Sequence, residues 1–158
     1  MIIKLDMKNA FDRVNLSFLY QVLLTFGFSV EFVSLIKACT GRPWIDPLIN
    51  GRPVDFFQAS RGLRQECPLS LFLYILMVEA LSRKLSAEMD FGIIPGIRDA
   101  RGVEPISHVL FVDDSLLLGG ASLNIARAFN GILQQFCSIS GALINKEKVW
   151  FTGGMWII

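Results

Sequence analysis

The sequence has few of the residues that build disulfide frameworks or zinc sites. Its 158 residues include one histidine and three cysteines, Cys39, Cys67 and Cys137, which are far apart and form no C-x-x-C pair. This odd, scattered count argues against disulfide bonds and structural zinc and fits a reducing, intracellular compartment. We interpret the three cysteines as ordinary core or surface thiols.

The sequence also lacks an apolar run long enough to cross a membrane. Its most apolar window, LSLFLYILMVEAL, is interrupted by Glu79 and is shorter than the roughly 20 residues of a spanning helix. The first residues, MIIKLDMKN, lack the long apolar segment of a secretory signal. We therefore expect an intracellular protein with no signal peptide, no transmembrane segment and no membrane partner.

Neither sign of charge is in excess, since 15 Lys and Arg face 14 Asp and Glu. This balance neither supports nor excludes a nucleic-acid partner, because a basic stripe can be local. The densest basic stretch holds Arg52, Arg61 and Arg64. Hydrophobic residues make up 53% of the chain and its mean hydropathy is +0.50, both high without a membrane span. We infer a core that normally packs against more protein.

Apolar periodicity and capping residues predict strands that alternate with helices in one domain. The long helix is apolar on nearly every face, so we expect it to be buried. Together these elements predict an α+β fold with helices on one face of a sheet. The predicted elements are a strand over 2–7, a helix capped by Asn15, a helix from Ser29 to Gly41, a hairpin at Asn50–Gly51, a long helix from Ser70 to Met89, a hairpin over 109–118, a helix from Ser122 to Ser140 and a strand over 149–152.

Asp113 and Asp114 are adjacent carboxylates inside the apolar stretch HVLFVDDSLLLGG. One interpretation is a plain hairpin turn, although neither residue is the usual Gly or Asn. The other is a hairpin tip that carries a metal ion, because a cation relieves both the repulsion and the desolvation of two like charges. The metal site needs a further carboxylate, and Asp6 near the end of the first strand is the candidate. We expect its rival, Asp12, to cap a turn or pair with Arg13.

The three carboxylates would suit magnesium. Mg²⁺ prefers oxygen ligands, usually takes one or two carboxylates and completes its shell with water and substrate phosphates. Two such ions about 3.5–4 Å apart support in-line phosphoryl displacement. The residues therefore predict a magnesium site suited to phosphoryl displacement, built from Asp6, Asp113 and Asp114.

Four motifs occur in the order and spacing of the palm motifs of reverse transcriptases, namely KLDMKNAFDRV, SRGLRQECPLS, HVLFVDDSLLL and SGALINKEK. From about Ile2 to Thr152 the chain resembles the non-LTR (LINE-type) retrotransposon enzymes that are abundant in plant genomes. The resemblance implies a polymerase palm-like antiparallel sheet with helices on one face. It also implies an RNA-directed DNA polymerase that extends a DNA primer on an RNA template with dNTPs, using two Mg²⁺ (or Mn²⁺) ions.

The resemblance implies catalytic roles for four residues. Asp6 and Asp113 match the two metal ligands of the family, and Asp114 matches a supporting carboxylate. Lys148 matches the lysine near the departing pyrophosphate, although an ordinary surface lysine would also explain it.

The resemblance implies binding roles for four others. Phe11 matches the aromatic residue that walls the sugar pocket, and a core aromatic is an equally good interpretation. Gln65 matches the glutamine that lines the nucleotide and template pocket. Arg61 and Arg64 would contact template or primer phosphate, with a solvated loop as the alternative. His108 precedes the strand, and we interpret it as structural.

The chain departs from the family pattern in its second motif. The usual R-Q-G-D-P reads RQECP, so Glu66 replaces a glycine that lets backbone lie close to the nucleotide, and Cys67 replaces an aspartate. The usual F-A-D-D also reads FVDD, with Val112 enlarging the side chain beside the aspartates.

The chain also starts inside the first motif and stops soon after the fourth. We expect residues 1–158 to be a partial reverse transcriptase domain, a palm that lacks most of the fingers and thumb and is inactive in isolation. The alternative is a degenerate, non-catalytic retroelement remnant that keeps the palm fold. A nucleotidyl cyclase-like palm is disfavoured, because no G-G-D/E-E-F hairpin is present.

Overall fold

The computed structural model describes residues 1–41, 44–54, 56–98 and 102–152. In chain order the elements are β1 (Ile2–Asp6), α1 (Leu16–Thr25), α2 (Val30–Thr40), β2 (Trp44–Ile45), β3 (Leu48–Ile49), β4 (Arg52–Pro53), β5 (Phe57–Gln58), α3 (Pro68–Asp90), β6 (His108–Phe111), β7 (Asp114–Leu118), α4 (Leu123–Ser140), a 3₁₀ turn (Lys146–Lys148) and β8 (Trp150–Thr152). Among these residues no helix is long and apolar enough to cross a membrane.

The main sheet is antiparallel, with its four strands in the order β6-β7-β1-β8. Side chains alternate along β1, so Ile3 and Leu5 are buried in the core while Lys4 lies on the other face with Asp6. The register of β1 and β7 sets Asp6 opposite Asp114. The pairing therefore brings the acidic residues of two distant motifs to one end of the sheet.

The core lies between one face of this sheet and the helices. Fully buried side chains come from β1 and β7 on the sheet side and from α1, α3 and α4 on the helix side, including Leu5, Leu117, Leu19, Leu23, Leu73, Leu81 and Phe129. The predicted α+β architecture with helices on one face of the sheet is confirmed.

Three predicted helix ends follow from capping residues. The Asn15 side chain accepts hydrogen bonds from the amides of Ser17 and Phe18 at the start of α1, and Ser122 caps α4 in the same way. Gly141 ends α4 in the left-handed conformation. Side-chain oxygens satisfy the first free amides of a helix, and glycine adopts a positive φ without a steric cost, so these signals are readable from sequence.

Two expectations about α3 are wrong. The helix begins at Pro68 with Cys67 as its N-cap, and Ser70 is buried within it instead of capping it. Proline fits the first helical position because no hydrogen bond is needed from its nitrogen. The helix is also not buried on every side, since Phe72 is 63% exposed and Ile75 is 46% exposed.

The loop before α3 is bonded to the turn that follows β1. The amide of Gly62 donates to the carbonyl of Val14 at 2.9 Å, and the amide of Leu63 donates to the carbonyl of Phe11 at 2.8 Å. Gly62 has φ +93°, and a Cβ there would lie 2.7 Å from the carbonyl oxygen of Asp12. Only glycine fits this position, so the first and second motifs contact each other through main-chain atoms.

We expect Gly62→Ala to lower the free energy of unfolding more than Gly27→Ala does. Gly27 has nearly the same φ, +91°, but a Cβ there would meet nothing within 4 Å. The control should lose about 0.5–1 kcal/mol, the cost of a left-handed L-residue less the lower freedom of alanine in the unfolded chain. Gly62→Ala adds a backbone clash and should lose about 2–4 kcal/mol in all. Urea unfolding measures both, and equal losses would show that the close approach to Asp12 is unimportant.

Candidate active site

A cleft of about 830 Å³ opens at the end of the sheet that carries Asp6. Its walls come from the turn after β1, the loop and first turn of α3, the β6–β7 loop and the segment before β8. Five of the eight residues to which the resemblance gives catalytic or binding roles line it, namely Asp6, Phe11, Gln65, Asp113 and Lys148. The fold thus gathers residues from all four motifs around one cavity.

Asp6 is the most enclosed carboxylate of this cleft, with a side chain that is 16% exposed. Asn145 Nδ2 donates to its Oδ2 at 3.1 Å, and Lys148 Nζ donates to its Oδ1 at 3.2 Å. Burial by itself would raise the pKa of Asp6, but these two hydrogen bonds and the charges of Lys148 and Lys4 outweigh it and lower the pKa below its usual value. The carboxylate is therefore ionised and paired with a cation.

Asp113 lies at the tip of the β6–β7 hairpin and lines the cleft. Its carbonyl accepts a hydrogen bond from the amide of Met7 at 3.0 Å, which ties the tip to the end of β1. The residue before it, Val112, has φ +51°. A β-branched side chain rarely adopts this conformation, so the tip is strained.

Asp114 is bound differently from its neighbour. Its Oδ2 lies 3.2 Å from Lys4 Nζ, on the face of the sheet away from the core. Asp114 does not line the cleft, and within the described ranges no three His, Cys, Asp or Glu side chains are grouped to hold a metal ion. The structure brings Asp6 and Asp113 to the cleft, while Asp114 stands beside it in an ion pair.

Asp12 corrects one expectation from the sequence. It does not pair with Arg13 or cap a turn, because its Oδ1 accepts a hydrogen bond from Gln65 Nε2 at 2.9 Å and it lines the same cleft. Arg13 instead donates through Nε to the carbonyl of Gly141 at 3.2 Å. The bond from Gln65 fixes the second-motif glutamine against the turn of the first motif.

Phe11 is both a packed aromatic residue and a residue of the cleft, and its role as the wall of a sugar pocket remains a prediction. Its ring packs on Tyr74 of α3, with centroids 4.9 Å apart, and it also lines the cleft. Tyr74 is almost fully buried. This burial, together with the nearby charge of Asp113, raises the pKa of Tyr74, so its hydroxyl remains protonated. The core therefore supports the floor of the cleft directly.

The remaining predicted residues lie outside the cleft. Arg61 and Arg64 are exposed on the loop before α3, and their contact with template or primer remains a prediction. His108 is held by the hydroxyls of Ser82 (2.8 Å) and Ser107 (2.9 Å). Burial lowers the pKa of His108, which favours the neutral ring and agrees with a structural role.

Two residues of the site were missed by reasoning from sequence. Asn145 lies three residues before Lys148 in the fourth motif, and Lys4 precedes Asp6 by two residues in β1. Strand alternation could have placed Lys4 on the same face as Asp6. No local sequence pattern indicates that Asn145 contacts Asp6, which lies 139 positions earlier.

The second-motif departures also lie in this cleft. Glu66 is exposed, lines the cleft and has φ +59°, the left-handed conformation that suits the glycine usual at this position. Asn9, on the opposite wall, has φ +50°. Three of the four described non-glycine residues with positive φ, namely Asn9, Glu66 and Val112, therefore lie in or beside the cleft.

Comparison with known proteins decides the family. The model for "Reverse transcriptase (RNA-dependent DNA polymerase)" matches residues 1–154. The chain belongs to the reverse transcriptase family. This assignment confirms the resemblance carried by the four motifs, and the family generally uses divalent metal ions.

Retrotransposon polyproteins are among the relatives of this reverse transcriptase domain. The chain is 26% identical over 152 residues to the Pol polyprotein of the type-2 retrotransposable element R2DM of Drosophila melanogaster. This alignment covers 96% of this chain and 14% of the polyprotein. It is 44% identical over 68 residues to an uncharacterized mitochondrial protein of Arabidopsis thaliana, covering 43% of this chain and 56% of that protein. The chain is a reverse transcriptase domain of the non-LTR retrotransposon type and spans less than two thirds of the length of these relatives.

A solved structure shows the same fold. The apo telomerase of Candida tropicalis, truncated from its C-terminal domain, superposes with a TM-score of 0.66 and 15% sequence identity. The superposition covers 94% of this chain and 30% of the telomerase chain. At this identity the likeness establishes the fold, a polymerase palm-like α+β domain.

Relief of backbone strain predicts that Glu66→Gly stabilises the reverse transcriptase domain. A left-handed L-residue costs about 1–2 kcal/mol, and the greater freedom of glycine in the unfolded chain offsets about 0.5–1 kcal/mol of the gain. Glu66 is exposed, so little packing is lost. We expect a net gain of about 0.5–1 kcal/mol in urea unfolding. Glu66→Ala, which keeps the Cβ, is the matched control and should show no gain.

Thiol reactivity should separate Cys67 from Cys137. The backbone amide and hydroxyl of Ser70 lower the pKa of Cys67 in the open cleft, whereas burial raises the pKa of Cys137. Because the thiolate is the nucleophile, Cys67 should be alkylated by iodoacetamide from a lower pH than Cys137. Peptide mass spectrometry between pH 6 and 9 measures both sites in one sample. Labelling of Cys137 from a lower pH than Cys67 would contradict this assignment.

Proposed function

We propose that this chain is the catalytic palm of a retrotransposon reverse transcriptase and forms the centre for DNA synthesis on an RNA template. The observation that carries the proposal is the convergence of Asp6, Asp113, Gln65, Phe11 and Lys148 on one cleft. The partners we propose are an RNA template, a DNA primer and a dNTP.

The residues of the cleft fit the divalent metal that the family uses. Asp6 and Asp113 offer the hard oxygen ligands that Mg²⁺ or Mn²⁺ prefers. Asp6 Oδ1 already accepts a hydrogen bond from the positively charged Lys148. We propose that Asp6 and Asp113 hold the metal and that Asp114 supports them. Two bound ions would activate the primer 3′-hydroxyl and stabilise the charge that develops on the triphosphate.

The other residues have positioning and electrostatic roles in the proposal. Phe11 forms the wall that would exclude a sugar 2′-hydroxyl, and Gln65, fixed by Asp12, would contact the nucleotide at the template pocket. Lys148 would stabilise the leaving pyrophosphate. Groups held in place before reaction cost little reorganisation when charge develops, which is how such sites lower a barrier.

The proposal assigns the grip on nucleic acid to other parts of the polyprotein. The net charge of +1 gives this chain no general excess of basic residues for contact with phosphate, and duplex affinity at physiological salt depends on the number of such contacts. We propose that residues 1–158 form the palm, that fingers and thumb supply most of the grip, and that Arg61 and Arg64 add backbone contacts.

Activity tests should distinguish the isolated chain from a completed polymerase. We expect the isolated chain to show no extension of a DNA primer on an RNA template with Mg²⁺ and dNTPs. Residues 1–152 grafted in place of the matching segment of an active retrotransposon polyprotein should extend the primer, provided that Glu66→Gly is included. The matched graft with Asp6→Asn and Asp113→Asn should be slower by about 1,000-fold or more, a barrier increase of about 4 kcal/mol.

Each outcome has a definite meaning. Equal activity of the graft and its double-asparagine control would overturn the proposed catalytic residues. A folded graft that remains inactive with Glu66→Gly would favour the degenerate remnant. If the isolated chain extends the primer faster than its variant with Asp6→Asn and Asp113→Asn, it needs no further nucleic-acid contacts from fingers and thumb.

A further inference from the structure

Asn145 is bonded to Asp6 at two points. Its side-chain Nδ2 donates to Asp6 Oδ2 at 3.1 Å, and its backbone amide donates to the Asp6 carbonyl at 2.8 Å. An ionised carboxylate only accepts hydrogen bonds, so the nitrogen of the asparagine amide must be the atom that faces it. One residue therefore restrains both the backbone and the side chain of Asp6.

The backbone of this segment is held independently of the Asn145 side chain. The amide of Lys8 donates to the carbonyl of Leu143 at 2.7 Å, and Met7 and Ile144 form an antiparallel bridge. These bonds extend the pairing beyond the end of β1. Replacement of the Asn145 side chain should therefore leave the segment in place and remove only the contact with the carboxylate.

The two oxygens of Asp6 have different partners. Oδ2 is bound by the Asn145 amide, which is neutral and part of the scaffold, whereas Oδ1 is bound by the Lys148 ammonium at 3.2 Å. Lys148 is 65% exposed at its side chain and can leave, since a long exposed lysine is weakly held. Oδ1 is thus the oxygen that can exchange one cation for another.

We propose that Asn145 is a positioning residue that holds the Asp6 carboxylate with Oδ1 directed at the cation site of the cleft. This inference rests on the proposed function, because it assumes that Asp6 binds a metal ion. Groups that orient a metal ligand from behind typically contribute 10- to 100-fold to metal affinity or activity. Without its partner on Oδ2, the carboxylate would be free to rotate about its last bond.

Manganese binding tests this role without requiring polymerase activity. Mn²⁺ is titrated into the full chain and the free ion is measured by electron paramagnetic resonance, with Asp6→Asn defining the binding that depends on Asp6. We expect Asn145→Ala to weaken that binding about 10- to 100-fold. Asn124→Ala, an exposed asparagine in the first turn of α4, is the matched control and should bind Mn²⁺ as the wild type does.

A second variant separates orientation from simple packing. Asn145→Leu keeps a side chain of similar size but has no donor for Oδ2, so it should lose as much affinity as Asn145→Ala. A residue that only fills space would be rescued by leucine, and near-wild-type Mn²⁺ affinity in Asn145→Leu would overturn the positioning role. Circular dichroism melting confirms that each variant is folded at the temperature of the titration.

The outcomes distinguish this inference from the function on which it rests. Binding that Asp6→Asn abolishes but Asn145→Ala leaves unchanged overturns the role of Asn145 alone. A wild-type chain without Asp6-dependent binding overturns the proposed metal site and the positioning role with it. Loss of binding in both Asn145 variants, with Asn124→Ala unaffected, establishes the role.

Discussion

The antiparallel pairing of β1 with β7 is the constraint on which the site depends. It joins residues more than 100 positions apart and sets Asp6 opposite Asp114, which leaves Asp113 at the neighbouring tip and inside the cleft. Because side chains alternate along a strand, a slip of one residue would turn Asp6 toward the core and Leu5 toward solvent. The buried pattern of Ile3, Leu5 and Leu117 forbids that slip. The hydrophobic core of this reverse transcriptase domain therefore enforces the alignment of its acidic residues.

Charge balance is the second organising feature. The cleft and its rim hold Asp6 and Asp114 close together, and each is paired with a lysine, Lys148 and Lys4 respectively. Both pairs are at least partly exposed and contribute little to stability. Their effect is local, since each lysine offsets the negative charge of the carboxylate beside it. Each of these two carboxylates is therefore compensated by a partly exposed lysine.

Features set by residues close together in the sequence could be predicted, whereas contacts between distant residues could not. Asn15, Ser122 and Gly141 mark helix ends because each acts on the backbone within a few residues, and the Asn50–Gly51 hairpin follows from two residues that tolerate positive φ. The errors concern contacts across the chain. Asp12 meets Gln65 from 53 positions away, and no periodicity indicates such a partner. The prediction that α3 is buried is wrong on its exposed face, because the sequence shows that the helix is apolar but not whether another element covers it.

The strain around the cleft has a consequence for the motions of this domain. Glu66 and Val112 each hold a backbone conformation that costs such a residue about 1–3 kcal/mol, Asn9 holds one that asparagine tolerates, and all three lie in or beside the cleft. Local opening draws on the least stable parts of a fold, so the walls of the cleft should fluctuate while the sheet behind them stays closed. Amide hydrogen exchange would then be fastest at the rim and slowest along β1 and β7. The domain would combine a rigid platform for its carboxylates with a yielding entrance to the cleft.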